Sequence, residues 1–127
     1  MTETEQAVVG CLVLDWAACR EPEVQAEWFD TPFYREIVER GKALEAKGIR
    51  PDSVTLLEGM SREGKAEVLR CAERTPSVSG FAHYVRQLRE EWRRRSIRQG
   101  LEAVMLERTD ADDMTEGLRA LVAEQDA

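Results

Sequence analysis

The densest concentration of chemically capable side chains is the stretch Glu90-Glu91-Trp92-Arg93-Arg94-Arg95-Ser96-Ile97-Arg98. Guanidinium groups at this spacing can bind phosphates or pair with carboxylates on another protein surface. The distribution of charge favours the second use. Residues 1–30 sum to −6, residues 31–84 to +1, residues 85–100 to +4 and residues 101–127 to −6, within a chain of formal net charge −7. A nucleic-acid-binding domain usually carries a basic footprint on a basic whole. Here the chain is acidic as a whole and the segment that follows the basic one sums to −6, so Arg93, Arg94, Arg95 and Arg98 are read as an electrostatic face for a protein partner, and direct DNA contact is not expected.

Other chemistry is sparse. The single histidine, His83, has no second metal-ligating residue at helical spacing, so it reads as a surface or partly packed side chain. Cys11, Cys19 and Cys71 are odd in number and form no C-x-x-C pair, which fits buried reduced thiols better than a disulfide framework or a zinc site. Asp15 lacks a partner carboxylate and reads as a surface or capping acid. Trp16, Trp28 and Trp92 are scattered and read as core or interface anchors. With no phosphate-binding loop and no nucleophile elbow, no catalytic residue, metal or cofactor is expected.

These side chains are positioned by helices. The 127 residues suffice for about one domain, and 43% hydrophobic with 34% charged residues describes a globular chain. The start, Met1-Thr2-Glu3-Thr4-Glu5, is acidic where a secretory signal is basic. No apolar run approaches the roughly 18 residues of a membrane span, so a cytoplasmic protein without membrane contact is expected. Thr2 and Glu5 spell a capping box, and Val8, Cys11, Leu12 and Cys19 recur on one face, predicting a first helix to about Cys19. Pro22 can open a short helix ending near Phe29, and Thr31-Pro32 can open the next, lined by Phe33, Ile37 and Leu44, with Gly41 allowing close packing and Gly48 ending it. A helical turn follows Pro51-Asp52-Ser53, and a further helix starts at Ser61 and stops before Thr75-Pro76.

From Gly80 to Leu106 the chain holds no proline. Phe81, Tyr84, Val85, Leu88 and Trp92 form one stripe and Ile97, Leu101, Val104 and Met105 another. A helix of that length measures roughly 40 Å, more than the roughly 25–30 Å width of the globule that the preceding residues can build, so part of it should project. Thr109 to Asp112 makes a turn, and Met114, Leu118, Leu121 and Val122 supply a return helix. The expected fold is all-α: a compact N-terminal bundle over residues 1–79 and a projecting αα-hairpin over residues 80–127, together one structural domain. Trp92, Ile97, Leu101, Val104, Met105, Leu118 and Leu121 are the expected self-association surface.

The order of short signals resembles the N-terminal domain of DnaB-type replicative helicases. Glu5 to Asp15, EQAVVGCLVLD, is similar to that family's E-x-x-V-L-G-x-x-L-x-D opening. Phe33-Tyr34-Arg35-Glu36-Ile37, Leu44, Gly48 and Pro51-Asp52-Ser53-Val54-Thr55-Leu56 resemble its H-R-x-I-F … G-x-P-I-D-x-V-T-L segment, and Thr75-Pro76-Ser77 with Phe81, Tyr84, Val85 and Leu88 its P-S-A … Y-x-x-x-V-R-E run. The resemblance covers about residues 3–108. Between Leu57 and Thr75 the family usually carries Gly-Gly-x-x-Tyr-Leu, and this chain has Glu63-Gly64-Lys65 through Glu73 instead, which marks a divergent, phage or mobile-element type of member.

The resemblance implies an all-helical domain that assembles as dimers, up to a trimer of dimers, and docks primase or a helicase loader during DNA replication. ATP, magnesium and catalysis belong to the family's C-terminal ATPase domain, which is absent from the sequence. A non-catalytic assembly and docking domain is therefore expected. The alternative is a monomeric adaptor, such as the helicase-binding domain of a primase or a phage helicase modulator.

Overall fold

A computed structural model describes residues 2–107. All of its regular structure is helical: α1 (Glu3–Leu14), two 3-10 turns (Ala17–Cys19 and Ala26–Trp28), α2 (Pro32–Ala46), α3 (Ser53–Leu57), α4 (Arg62–Arg74) and α5 (Phe81–Glu107). The chain divides into two compact units, Met1–Leu88 and Arg89–Ala127, so the division falls within the sequence of α5. The expected return helix, with Met114, Leu118, Leu121 and Val122, lies outside the described residues.

In the first unit α1 is central. Every residue from Val8 to Val13 is buried, so the helix is covered on all sides and not on the single face that the spacing suggested; a helix apolar all round belongs in the middle of its fold. It crosses α4 at Gly10, where a Cβ would stand 2.6 Å from the carbonyl oxygen of Cys71 and collide with the Thr75 hydroxyl. Only hydrogen fits there. Ile37 and Val38 of α2, Leu56 of α3, Val68 of α4, and Phe81, Val85 and Leu88 of α5 complete the core.

The start signals at Thr2 and Ser61 act as expected, whereas Thr31 stands at the N-cap position of α2 with no side-chain cap hydrogen bond. Thr2 and Glu5 form the reciprocal capping box of α1, and Ser61 Oγ accepts the Gly64 N–H at 3.0 Å to start α4. Pro32 opens α2 after Thr31. At the other end of α2, Gly48 takes φ +74°, with its N–H on the Glu45 carbonyl and the Ile49 N–H on that of Leu44. This is a Schellman closure, and its left-handed residue favours glycine.

Three local expectations are corrected. The first helix ends at Leu14, not Cys19, because Asp15 leaves the helical region at φ −156°, ψ 84°, and its Oδ1 accepts the Ala18 N–H at 3.2 Å to start a separate 3-10 turn. No helix starts at Pro22, whose peptide bond with Glu21 is cis, and only Ala26–Trp28 coils. Along α2 the inward face is Tyr34, Ile37, Val38 and Gly41, with Phe33 and Leu44 only half-buried. Gly41 does allow close packing: the Trp16 ring lies where its Cβ would be.

Candidate functional site

The arginine-rich face lies in the second unit, along the described part of α5. Trp92, Arg93, Arg95, Ile97, Leu101 and Val104 are half-buried, while Arg94 and Arg98 are exposed. Met105 is 58% and Leu106 87% exposed, the latter a large apolar side chain that the stripe pattern had left out. Arg94 Nε stands 3.8 Å from Glu90 Oε1, one helical turn away, with both side chains largely in solvent. Exposed i, i+4 pairs of this kind contribute about 0.3–0.5 kcal/mol. Arg93 Nε is shielded from solvent with no hydrogen-bond partner among the described residues. Arg94, Arg98, Leu101 and Met105 recur at spacings of four, three and four, and so share one face. Of the expected self-association residues, Leu118 and Leu121 lie outside the described residues; the other five follow one another along α5.

A second surface, not anticipated from the sequence, lies in the first unit. The start of α2 and the outer side of α4 enclose an open groove of about 680 Å³ lined by Asp30, Pro32, Phe33, Ala66, Glu67 and Arg70, with Glu63 at its edge. Its construction follows from the two adjacent aromatics of α2. Tyr34 turns inward, is fully buried, and donates its hydroxyl to Glu67 Oε1 at 2.6 Å. Phe33 consequently turns outward across α4, with its ring 3.0 Å from where a Gly64 Cβ would stand. Glu67 is buried on the inner side and held on the outer side by Arg70 at 3.5 Å. Asp30 and Glu63, both exposed, have no ion-pair partner among the described residues.

The loop feeding the groove is pinned from behind. Glu5 is 1% exposed, and its Oε1 accepts the N–H groups of Asp30 at 2.8 Å and Thr31 at 3.3 Å. Arg35 Nε donates to the Phe29 carbonyl at 2.6 Å. The loop at the groove is thus fixed by one buried and two part-buried hydrogen bonds.

Among the described residues, the chemically capable side chains do not converge on a reaction centre. Cys11, Cys19 and Cys71 are buried free thiols, as expected. Burial raises all three, and Cys19, with Cys11 and Asp15 adding to the effect, is pushed up to about 12. Thiols held protonated in this way are poor nucleophiles. His83 is exposed. Among the described residues no three His, Cys, Asp or Glu side chains group as metal ligands, and no helix is long and apolar enough to cross a membrane.

Comparison with known proteins agrees with the helical layout. Residues 1–90 match the family model of the DnaB-like helicase N terminal domain. A crystal structure of the N-terminal domain of DnaB helicase from Mycobacterium tuberculosis is similar with a TM-score of 0.77 at 17% sequence identity, over 96% of this chain and 95% of that one. At that identity the likeness is one of fold. No curated protein sequence matches significantly.

Proposed function

Because the chain belongs to the DnaB-like helicase N-terminal domain family, we propose that it is a non-catalytic assembly and docking domain of a replicative DNA helicase. It associates with further copies of itself through α5 and presents a surface to primase or a helicase loader. The observation that carries this reading is the surface of α5: half-buried Ile97, Leu101 and Val104 run into exposed Met105 beside the arginines, and Leu106 is exposed on the opposite side of the helix. Large apolar side chains left in water next to fixed charge are the composition of an interface core with a polar rim. Burying them against a second copy gains about 25 cal/mol per Å². Trp92, with Leu118 and Leu121 beyond the described residues, belongs to the same proposed surface. No cofactor or metal is part of the proposal.

The arginines set partner choice and association rate more than affinity. The segment that follows them sums to −6 in a chain of net charge −7, which supports contact with protein and not with a phosphate backbone.

The test is absolute mass in solution, by light scattering behind a sizing column over a concentration series at low and moderate salt. Dimers or larger closed assemblies, reduced to monomers by Ile97→Asp or Leu101→Asp, support the proposal. One observation favours a second reading: the family match ends at residue 90, before every residue of the proposed interface. A strict monomer at every concentration that is nonetheless retained by helicase in a pull-down would make the chain a monomeric adaptor.

A further inference from the structure

The groove between the start of α2 and α4 has a definite chemistry. One wall is a single stripe of α4, carrying Glu63, Ala66, Glu67 and Arg70, and the other is Asp30 followed by Pro32 and Phe33. Its apolar part consists of exposed Pro32 and Ala66 and the half-buried Phe33 ring. The charges fall into two classes. Glu67 is already committed, since its Oε1 accepts the Tyr34 hydroxyl at 2.6 Å and its Oε2 lies 3.5 Å from Arg70, the cation of this lining. Asp30 and Glu63 are exposed and make no ion pair among the described residues. The charge left free is therefore negative. Asp30 also ends a stretch, residues 1–30, that sums to −6, which adds longer-range attraction for a cation.

We propose that this groove docks a short segment of a different protein, in which one large aliphatic or aromatic side chain is flanked by Lys or Arg. The proposal rests on the docking half of the function proposed above and gives it a location and a partner chemistry. The apolar side chain packs on Pro32, Phe33 and Ala66, and its flanking cations meet Asp30 and Glu63. The cationic run of this chain itself, Arg93 to Arg98, lies on α5, which self-association already engages. The partner must bring its own cations. The groove and the proposed self-association surface share no residue, so docking leaves the assembly face untouched. Because Glu5 and Arg35 hold the loop at the groove, little backbone has to be ordered on binding. Burial of the apolar anchor then supplies the affinity, and the acidic rim sets orientation and encounter rate.

The full chain tests this directly. A photo-crosslinking amino acid replaces exposed Ala66, the protein is mixed in turn with purified primase and purified helicase loader of its own replication system, and mass spectrometry maps the linked residues. Links to one segment carrying an apolar anchor between Lys or Arg residues are expected. Links to an acidic or uncharged segment, links only to a second copy of this chain, or none from a complex that a pull-down shows to form, overturn the groove and leave docking standing. No complex with either protein overturns docking and this proposal together. A fluorescent synthetic peptide of the linked segment then gives affinities by anisotropy. Ala66→Trp, which fills the groove, should weaken binding about tenfold or more, and Glu63→Arg about fivefold, the scale of a charge contact near a surface. A peptide with its cations changed to Glu should prefer Glu63→Arg over the parent. Lys65→Trp, an exposed neighbour on α4 outside the groove lining, should bind as the parent does. All three variants should keep the parent's melting temperature and mass by light scattering. Equal affinity in the parent and in Ala66→Trp would sink the proposal.

Discussion

The carboxylate of Glu5 is hydrogen-bonded to the backbone N–H of Asp30 at 2.8 Å, across 25 positions of sequence. Its other oxygen serves the capping box of α1, accepting the Thr2 N–H at 3.4 Å and the Thr2 hydroxyl at 3.2 Å. A single buried side chain thus starts one helix and anchors the loop that leads into the next. Glu5→Ala leaves the Asp30 and Thr31 N–H groups without their acceptor and removes the cap, at about 2–4 kcal/mol. Thermal unfolding followed by circular dichroism should show a melting temperature lower by roughly 10 °C or more. A shift of only a few degrees would mean that water replaces the carboxylate at little cost.

Tyr34 and Glu67 make the corresponding link between α2 and α4. Tyr34→Phe keeps the ring in place and deletes only the hydroxyl, so Glu67 loses its 2.6 Å donor and retains Arg70. A buried carboxylate deprived of a donor costs about 1–3 kcal/mol. Urea unfolding should move to a lower midpoint with unchanged slope, because the surface exposed on unfolding is the same. Phe33→Ala on the neighbouring position should cost less, since that ring is only half-buried.

Those two positions also mark how far the sequence could be read. Thr2 with Glu5 and Ser61 announce helix starts because capping is a local code spanning three or four residues, and Pro32 announces α2 by its fixed φ at the first helical position. The all-helical class and the long α5 followed from apolar spacing, start and stop signals, and the absence of proline between Gly80 and Leu106. Tyr34 and Phe33 are adjacent aromatics, and which one turned inward depended on Glu67, 33 positions away. Glu5 read as a cap because its second set of partners lies on the far side of the loop. The groove, built from both helices, left no contiguous signature. Asp15 ended α1 early although the apolar pattern ran on to Cys19, since its own side chain supplied an alternative partner to the backbone.

The buried thiols and the buried Tyr34 hydroxyl, all raised first by burial, tie stability to pH on the alkaline side. Cys19 is pushed from the usual range near 9 up to about 12, and Cys71 and Cys11 are raised by burial as well. Groups whose pKa is raised by folding contribute stability that is fully present below the unfolded value and is lost as pH rises towards the folded one. Melting temperature should therefore be flat through neutral pH and decline above about pH 9. The same burial should leave all three thiols unreactive toward a disulfide reagent at pH 8 until denaturant is added. Rapid labelling of the native protein would contradict the packing around α1.

The outer face of α5 separates assembly from folding. Leu88 is 1% exposed and belongs to the first unit, so Leu88→Asp places an unpaired charge in a core and should unfold that unit. Met105 is largely in solvent; Met105→Asp removes no core contact and should leave the unfolding free energy within about 0.5 kcal/mol of the parent. If α5 is an assembly surface, the same substitution introduces a carboxylate where apolar area is to be buried, and desolvating it opposes association by roughly ten- to hundredfold. Light scattering on Met105→Asp should then report a smaller particle of unchanged helicity. Leu101→Asp, at a half-buried position, should do both in part. An assembly as large as the parent in Met105→Asp would place the contact on another face of α5, and the arginines would then be the next side chains to reverse in charge.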